Sequence, residues 1–315
     1  MTITTDLNAP LFTVVGATGS QGGSTVQALS ASEKPYRVRA VTRDTNQLSA
    51  QKLAEIGCEL VQADIDNSAD VEKAFTASDF VFAMTKSDHA VIADEHKRGR
   101  ILVDTAKAKG VKTFIWSSQL HLGRLSGGEM EVPMFDVKAE IADYARSISL
   151  NILEVCPGIF NKLWIEKCPP YKHEDGSYIL SLPLNSNTKL PLIDIATDFG
   201  RYVVDAFEKN HTGRLLAAAE YLTLKEIAKV YSEVSGRQIT FVPAEDEAFR
   251  RKLAENANES FVTNILNRLI AFRTIGYYGQ NQDLDESNAI LSTPAQTFSQ
   301  FVHAHKSDLL KAMDL

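Results

Sequence analysis

Short apolar runs alternate with amphipathic segments from the N-terminus to about residue 160. A short apolar run bounded by turn residues indicates a buried strand, whereas apolar positions three and four apart indicate a helix. The strands predicted in this way cover residues 12–15, 36–41, 59–62, 80–83, 113–117 and 151–156. The helices predicted between them cover residues 24–32, 47–56, 71–75, 88–109 and 135–146. This alternation predicts a parallel sheet with helices on both faces.

The alternation stops after Pro157, where turn residues such as Pro169 interrupt the chain. Residues 192–207 restore a strand-and-helix pattern, and we expect them to rejoin the main sheet. We therefore predict a large domain of residues 8–160, rejoined by residues 191–212, and a smaller α/β C-terminal subdomain of residues 161–190 and 213–315.

Two residue pairs predict helix starts in the smaller subdomain. Thr223 and Glu226 have the spacing of a capping box, in which each side chain binds a free backbone N–H of the first turn. Thr293 and Gln296 repeat that spacing around Pro294, a residue favoured at the first helical position. We expect a helix to begin at each pair.

Apolar residues at helical spacing lie between these two starts. They are Phe261, Ile265, Leu266, Leu269 and Ile270. Such a face fits three uses: packing into the core, forming the wall of a substrate pocket, or binding a partner. A strand is predicted before it, at residues 239–242.

Composition narrows the class of protein. The net charge of −7 over 315 residues disfavours the basic surface of a nucleic-acid-binding protein. Apolar runs are too short to cross a bilayer, and the first ten residues lack a signal-peptide layout, so we expect a cytoplasmic protein. Cys58, Cys156 and Cys168 lie far apart, which predicts reduced thiols, and the scattered histidines predict no metal site. His89 and His96 belong to a charged segment that predicts a solvated helix.

A glycine-rich segment follows the first predicted strand directly. Its residues are Gly16, Ala17, Thr18, Gly19, Ser20, Gln21 and Gly22. Glycines permit a sharp turn and a close approach of the backbone to a pyrophosphate, and the following helix directs free N–H groups at the phosphates. Because the segment joins a strand to a helix, it predicts a doubly wound Rossmann domain that binds a dinucleotide.

The end of the second strand bears on the choice of dinucleotide. NAD sites have an acidic residue there, which accepts hydrogen bonds from the ribose hydroxyls. Thr42 occupies that position, and Arg43 follows it. A guanidinium binds the 2′-phosphate of NADP through charge-assisted hydrogen bonds, so we predict NADP(H). Two alternatives are a surface arginine and an ion pair between Arg43 and Asp44.

Asp64 and Ile65 follow the third predicted strand, where an adenine ring would lie. The Asp64 carboxylate can accept a hydrogen bond from the adenine amine. It can equally cap the next helix. The sequence leaves both roles open.

Four further segments, together with the glycine-rich one, carry a family resemblance. They are residues 38–43 (VRAVTR), 135–138 (FDVK), 157–161 (PGIFN) and 176–183 (GSYILSLP). In these segments the chain resembles the NmrA-like family, an atypical branch of the short-chain dehydrogenases, and in particular its animal redox-sensor members. The resemblance extends from about Leu11 to the last helix. It implies that NADP(H) lies in a cleft between a Rossmann domain and a small α/β domain, where a small-molecule ligand would also bind.

The resemblance also implies roles for single residues. Arg43 would bind the 2′-phosphate, and Lys138 would contact the nicotinamide ribose. Further nucleotide contacts would come from Met84, Thr85, Lys97, Ile159, Phe160, Asn161 and Lys162. Lys86 departs from the aromatic residue that the resemblance leads us to expect at its position.

The position of a catalytic tyrosine is occupied by a residue without a transferable proton. Ordinary short-chain dehydrogenases carry Tyr-x-x-x-Lys on this helix, and the lysine charge lowers the pKa of the phenol on the same helical face. Here Met134 lies four residues before Lys138. The sequence therefore predicts a nucleotide site without the usual dehydrogenase mechanism.

Other proton donors are weaker candidates. Ser118 ends the fifth strand, where a serine more often satisfies backbone groups, and His121 follows in the next loop. Tyr171 and Tyr178 belong to the second subdomain. Residues 122–133 contain adjacent glycines and are interpreted as a lid or a partner surface.

Two functional hypotheses follow. The first is an NADP(H)-binding redox sensor that regulates a protein partner, such as a transcription factor or a signalling enzyme, in the cytoplasm and also in the nucleus; a homodimer fits this role. The missing tyrosine supports it. The second is an NADPH-dependent reductase of quinones, imines or similar electron-poor molecules, with water or a serine as proton source.

Overall fold

The computed structural model describes residues 3–86, 92–280 and 282–315. Its strands are β1 (Leu11–Val15), β2 (Arg37–Thr42), β3 (Glu59–Gln62), β4 (Phe80–Ala83), β5 (Thr113–Ser117), β6 (Ile152–Pro157), β7 (Ile159–Phe160), β8 (Tyr171–Lys172), β9 (Tyr178–Leu180), β10 (Leu190–Ile193), β11 (Gly213–Ala217), β12 (Glu220–Leu222) and β13 (Ile239–Phe241). Its helices are α1 (Ser20–Ala31), α2 (Leu48–Glu55), α3 (Ser68–Phe75), α4 (Ile92–Ala108), α5 (Leu122–Leu125), α6 (Pro133–Ser147), α7 (Asn161–Glu166), α8 (Phe199–Glu208), α9 (Leu224–Ser235), α10 (Asp246–Ala254), α11 (Glu259–Thr274), α12 (Asp285–Ile290), α13 (Phe298–Ala304) and α14 (Lys306–Ala312).

Seven parallel strands form the central sheet, in the order β11-β6-β5-β4-β1-β2-β3. The chain builds outward from β1 through β2 and β3, then returns to β4 on the other side of β1. Dinucleotides bind beyond the carboxyl ends of the strands at such a reversal. The sheet confirms the predicted doubly wound Rossmann fold, and it places the glycine-rich segment after β1 at the reversal.

The helices cover both faces of this sheet. Helix α1 packs closely on α8 because Gly200 has no side chain: an added Cβ would overlap the Ser24 carbonyl. On the other face α4 packs between α3 and α6. Gly99 of α4 allows α6 to pack closely, since a Cβ at Gly99 would overlap the Ile141 side chain of α6.

The predicted domain boundary at residue 213 is wrong. Gly213–Ala217 is β11, which pairs with β6 along its whole length as the edge strand of the central sheet. Parallel pairing with β11 satisfies the N–H and C=O groups that β6 would otherwise expose at the edge. Residues 192–207 were predicted to rejoin the main sheet. Helix α8 does so by packing on β6 and β11. Leu192 does not, because its strand β10 pairs with β7 and β12 in a separate sheet.

The helix predicted to begin at Thr293 starts four residues later. Thr297 caps α13, and Gln300 completes its capping box. Arg201 accounts for the difference, since its guanidinium donates to the Thr293 hydroxyl and carbonyl groups and holds that segment against α8. The capping box of Thr223 and Glu226 at the start of α9 is confirmed.

The smaller subdomain contains two three-stranded sheets, ordered β12-β10-β7 and β13-β9-β8. Its core joins α7, α9, α11, α13 and α14 in one apolar cluster. Helix α11 confirms the helix predicted from apolar spacing, and it turns Val262, Leu266, Leu269 and Phe272 inward.

Among the described residues, no helix is both long and apolar enough to cross a bilayer. The predicted helix of residues 88–109 is described from Ile92 to Ala108. His89 lies outside the described residues.

Candidate functional site

The glycine-rich segment forms a tight turn between β1 and α1. Gly16 has φ +69°, a left-handed conformation that favours glycine, and its carbonyl accepts a hydrogen bond from Gly19 N–H at 2.9 Å. Helix α1 begins at Ser20 without a side-chain cap and without an acidic residue in its first turn. Its free N–H groups and positive dipole end therefore suit an anion.

Gly22 lets the first turn of α1 lie directly on this loop. A Cβ at Gly22 would overlap the Gly16 carbonyl and lie 2.9 Å from Ala17 Cα. The Met84 side chain, after β4, lies on the other side of the loop, and its sulfur would be 3.5 Å from a Cβ at Gly16. The loop thus has the close backbone packing that a pyrophosphate-binding turn requires.

The end of β2 carries a neutral polar cluster. Gln47 Nε2 donates to Thr42 Oγ1 at 2.9 Å and to Thr18 Oγ1 at 3.2 Å, and the two threonine hydroxyls lie 3.3 Å apart. No carboxylate of a described residue takes part in this cluster. Gln47 was not identified from the sequence, since a glutamine before a helix is an ordinary surface residue.

Arg43 is exposed and forms no ion pair with any described residue. The Asp44 carboxylate instead accepts a hydrogen bond from Asn46 N–H at 2.8 Å. The guanidinium is therefore available to an anionic group at the end of β2.

The segment after β3 resolves one of the two roles left open for Asp64. Asn67, not Asp64, caps α3. Asp64 Oδ1 accepts from Asp66 N–H at 3.0 Å, while the carboxyl group is exposed and Ile65 is half-buried beside it. This geometry leaves the adenine role as a prediction.

Helix α4 is tied to the same segment by Arg98, whose guanidinium binds both Asp66 oxygens at 2.7 and 2.9 Å. This bonding lowers the pKa of Asp66. Lys97 is exposed next to Arg98, and its charge also acts on Asp66. The contact places Lys97 close to the Asp64 segment.

Lys138 lies on α6 and faces α4. Its Nζ donates to Glu95 Oε1 at 2.7 Å, to the Thr85 carbonyl at 2.9 Å and to Thr85 Oγ1 at 3.2 Å. Glu95 is fully buried, although the charged sequence around it predicted a solvated helix. Its burial depends on α6 packing against α4, which no local pattern shows.

Met134, four residues before Lys138, is partly buried against the core of the smaller subdomain. A thioether therefore occupies the position at which Tyr-x-x-x-Lys spacing would require a phenol. Tyr171 and Tyr178 lie in the β13-β9-β8 sheet, and Tyr171 is exposed under the Lys252 ammonium group. The structure does not bring either phenol into the contacts of Lys138.

Ser118 is fully buried, and its hydroxyl donates to Glu154 Oε2 at 2.7 Å. Glu154 is itself buried in β6 and pairs with Arg146 and Arg214. These contacts favour a structural role for Ser118 over proton donation.

His121 is engaged by two carboxylates of α6. Its Nδ1 lies 2.9 Å from Asp136 Oδ1, and its Nε2 lies 3.5 Å from Glu140 Oε1. Asp136 also accepts from Gly123 N–H at 3.1 Å and from Val132 N–H at 3.2 Å. One carboxylate therefore holds both ends of the loop at residues 122–133.

Ile159 and Phe160 form β7, and Asn161 begins α7. Asn161 has no exposed surface, yet neither Nδ2 nor Oδ1 has a hydrogen-bond partner among the described residues. An unpaired buried amide carries a free-energy cost of about 1–3 kcal/mol. A ligand with its own polar groups would remove that cost, so these residues fit the nicotinamide end of a dinucleotide. Lys162 next to them is exposed and pairs with Glu166.

A cavity of about 830 Å³ opens between the two subdomains. Ser20 of α1, Lys162 of α7, Asp194 after β10 and His305 after α13 contribute to its lining. It therefore lies beside the start of the glycine-rich helix. Among the described residues, no group of three or more His, Cys, Asp or Glu side chains could hold a metal ion.

Comparison with known proteins agrees with this arrangement. The model of the NmrA-like family matches residues 9–302. The chain belongs to the NmrA-like family. The NmrA-like family domain-containing oxidoreductase ptmS of Penicillium ochrochloron is 31% identical over 252 residues, which are 74% of this chain and 75% of that protein. The corresponding oxidoreductase malD of Malbranchea aurantiaca is 28% identical over 256 residues, 75% of this chain and 76% of its own.

Solved structures share the fold. NmrA, a negative transcriptional regulator, superposes with a TM-score of 0.82 at 21% identity and covers 98% of this chain and 99% of its own. An NADPH-dependent quinone oxidoreductase of Escherichia coli, solved with NADPH, has a TM-score of 0.76 at 17% identity over 93% of this chain and 99% of its own. At these identities the likeness shows the NmrA-type architecture alone.

Proposed function

We propose that this NmrA-like protein is an NADP(H)-dependent oxidoreductase that reduces small electron-poor molecules such as quinones or imines. The observation that carries the proposal is that Arg43, beside the cluster of Thr42 and Gln47, forms no ion pair with any residue that the structure describes, and that no described carboxylate joins this cluster. A 2′-phosphate gains a charge-assisted bond there, whereas an NAD ribose finds no acidic acceptor. The curated relatives named as oxidoreductases support the enzymatic part.

NADPH supplies a hydride when it is bound. The residues of this chain bind and orient the nucleotide. The first turn of α1 binds the diphosphate, and Arg43 binds the 2′-phosphate of the ribose. Lys138 holds the Thr85 backbone beside the nucleotide site. Met134 offers no proton and the Ser118 hydroxyl is engaged by Glu154, so in this proposal water gives the proton that completes the reduction. This restricts the substrates to acceptors whose reduced form takes up a proton readily after hydride arrives, as a quinone does.

A second function is favoured by the same Met134. A protein that binds NADP(H) without a catalytic phenol suits redox sensing, in which the occupied and empty forms differ in their affinity for a transcription factor, a signalling enzyme or a second copy of the chain. Cytoplasmic action, with entry into the nucleus, belongs to this proposal. The structural likeness to NmrA, a negative transcriptional regulator, supports this proposal.

One experiment separates the two functions. The purified protein is titrated with NADP, NADPH, NAD and NADH, and NADPH oxidation is then followed with a panel of quinones. The oxidoreductase predicts oxidation at least tenfold above the buffer rate, with NADPH preferred to NADH. Tight NADPH binding without turnover, accompanied by a nucleotide-dependent change in oligomer size or protease pattern, would favour the regulator. Failure to bind any of the four nucleotides would overturn both.

A further inference from the structure

Asp194 is a buried carboxylate that has no cationic partner among the described residues. Four carboxylates in the described part of the chain are less than a tenth exposed. Three of them pair with a lysine or an arginine: Glu95 with Lys138, Glu154 with Arg146, and Asp198 with Arg201. Asp194, which is 7% exposed, forms no such pair. A buried charge is unfavourable without a counter-charge, so a ligand that carries a cation would bind favourably beside it.

The two oxygens of Asp194 have different surroundings. Oδ1 accepts a hydrogen bond from Ala196 N–H at 3.2 Å, whereas Oδ2 has no hydrogen-bond partner among the described residues. The nearby Asp198 is already satisfied, since Arg201 binds one of its oxygens at 2.6 Å and Gln296 N–H donates to the other at 2.8 Å. Burial raises the pKa of Asp198, and the negative charge of Asp194 adds to that rise. Asp194 therefore keeps a charge and one oxygen for a ligand.

Asp194 contributes to the lining of the cavity of about 830 Å³ between the two subdomains. The other buried residues of this lining are apolar: Ile165, Ile195 and Phe301 are 5%, 4% and 3% exposed. The His305 ring stacks on Phe301 with ring centroids 4.2 Å apart and also lines the cavity. Apolar walls with one polar group that fixes orientation are typical of small-molecule sites of this volume, and aromatic rings attract cations.

The remaining charged groups of the lining are exposed and balanced in sign. They are Lys162, Glu166, Asp308 and Lys311. Lys162 and Glu166 also pair with each other at 3.1 Å. Solvent screens such exposed charges, so Asp194 decides which charge the cavity prefers. A buried carboxylate repels the phosphates of a dinucleotide, and the cavity therefore suits a second, cationic molecule.

Two lining residues place the cavity along the nucleotide site. Ser20 begins α1, whose first turn suits the diphosphate. Lys162 directly follows Asn161, whose buried amide fits the nicotinamide end. A molecule in the cavity would thus lie beside a bound nucleotide.

We propose that this cavity binds an apolar organic cation with Asp194 as its counter-ion, and that the cation is an iminium substrate. The iminium carbon gains a hydride, with its two electrons, from NADPH, which becomes NADP⁺. The new C–H bond replaces the C=N π bond, whose electron pair becomes the lone pair of a neutral amine. This step needs no proton, so it proceeds without the phenol that Met134 replaces. That the cation is a substrate rests on the proposed oxidoreductase function, whereas its binding does not.

Calorimetric titration of the NADP-loaded protein with two probes of the same shape tests the binding. The probes are 4-hydroxyphenyltrimethylammonium and the uncharged 4-tert-butylphenol, compared at pH 6.5, where both phenols are protonated. We expect the cation to bind at least about tenfold more tightly, because opposite charges attract strongly away from bulk water.

Asp194→Asn keeps an acceptor for Ala196 N–H and removes the charge. The preference for the cation should fall to less than twofold, while the affinity for 4-tert-butylphenol stays the same. Asp314→Asn makes the same change at an exposed residue outside the cavity lining and should leave the preference unchanged. Ala196→Trp fills the cavity from an exposed lining position and should weaken the binding of both probes at least tenfold. This variant tests the site even if Asp194→Asn does not fold.

Three results would overturn the proposed site. They are wild-type protein that prefers neither probe, including binding of neither; a preference that Asp194→Asn retains, or that Asp314→Asn loses to the same extent; and unchanged binding in Ala196→Trp.

NADPH oxidation with 2-methyl-3,4-dihydroisoquinolinium then distinguishes a substrate from a ligand. We expect turnover by the wild-type protein and at least a tenfold lower kcat/KM in Asp194→Asn. Cation binding without turnover of this iminium or of any quinone would reject the oxidoreductase and leave the site intact. Quinone reduction without a preference for the cation would do the reverse. Quinone reduction together with cation binding, but without iminium turnover, would reject the iminium as substrate.

Discussion

Lys138 Nζ lies 2.7 Å from Glu95 Oε1 and joins helix α6 to helix α4 through an ion pair. Glu95 is fully buried, and the Lys138 side chain is 13% exposed. Lys138 therefore links two helices that cover the same face of the central sheet. The predicted contact of Lys138 with a nicotinamide ribose would have to coexist with this pair.

Removing either charge should take away the ion-pair partner of the other one in a largely buried setting. We expect Glu95→Gln and Lys138→Met each to lower the free energy of unfolding by about 3 kcal/mol. The double variant should lose clearly less than the sum, because neither charge is then left alone. Urea denaturation of the four proteins measures the coupling. Additive losses would mean that the ion pair contributes nothing.

Arg43→Ala should weaken NADP binding by one to two orders of magnitude and NAD binding by less than threefold. The reason is the loss of charge-assisted bonds to the 2′-phosphate, which contribute about 1.5–3 kcal/mol each. Calorimetry with both nucleotides measures the difference. Arg37→Ala, at the opposite end of β2, should change neither affinity. Equal losses for the two nucleotides would remove Arg43 from the phosphate site.

Gly22→Ala should disrupt the nucleotide loop, because the added Cβ overlaps the Gly16 carbonyl. Overpacking of this kind lowers the free energy of unfolding by about 1–3 kcal/mol, and NADP binding should fall with it. Gly23→Ala is the matched control, since its Cβ would lie 3.4 Å from the Ala17 carbonyl, an ordinary contact. It should be neutral or stabilising by up to about 1 kcal/mol in helix α1. Thermal unfolding with and without NADP compares the two, and equal behaviour would contradict the close packing.

Asp136→Asn should loosen the loop at residues 122–133. The amide keeps one acceptor oxygen, so either Gly123 N–H or Val132 N–H loses its partner, at a cost of about 1–3 kcal/mol. Hydrogen exchange should become faster in this loop and stay unchanged in β1. Asp143→Asn on the same helix breaks only exposed ion pairs and should change stability by less than about 1 kcal/mol. Unchanged exchange in Asp136→Asn would mean that the loop is held by other contacts.

The cysteines should react slowly in the folded protein. Burial raises the pKa of Cys58 and Cys168 to about 11 and that of Cys156 to about 12, whereas an unfolded cysteine has a pKa of about 8.5. Because only the thiolate reacts, labelling by Ellman's reagent at pH 8 should be about a hundredfold slower than in urea. The thiol pKa values are higher in the folded protein than in the unfolded chain. The stability that comes from keeping these thiols protonated is therefore fully present below about pH 8.5, and it is lost as the pH rises towards 11. Rapid labelling of the native protein would contradict the burial of the thiols.

Local patterns were sufficient for the Rossmann half of the molecule. Strand β3 and strand β4 were predicted with their observed bounds, and α1 began only four residues before its predicted start. Periodicity works here because a strand buried on both faces and a helix with one apolar face each leave a signature within a few residues. The glycine loop is also local, since its turn, its close packing and its free N–H groups all lie within one short segment.

The sequence by itself determined the parallel sheet, the nucleotide loop, the absence of a tyrosine before Lys138 and the family. Tertiary structure alone decided that β11 completes the sheet and that Glu95 is buried against Lys138. A charge has its energy set by the groups packed around it, and these come from distant parts of the chain. Glu95 and Lys138 are 43 residues apart, so no window of sequence contains the environment that each of them experiences.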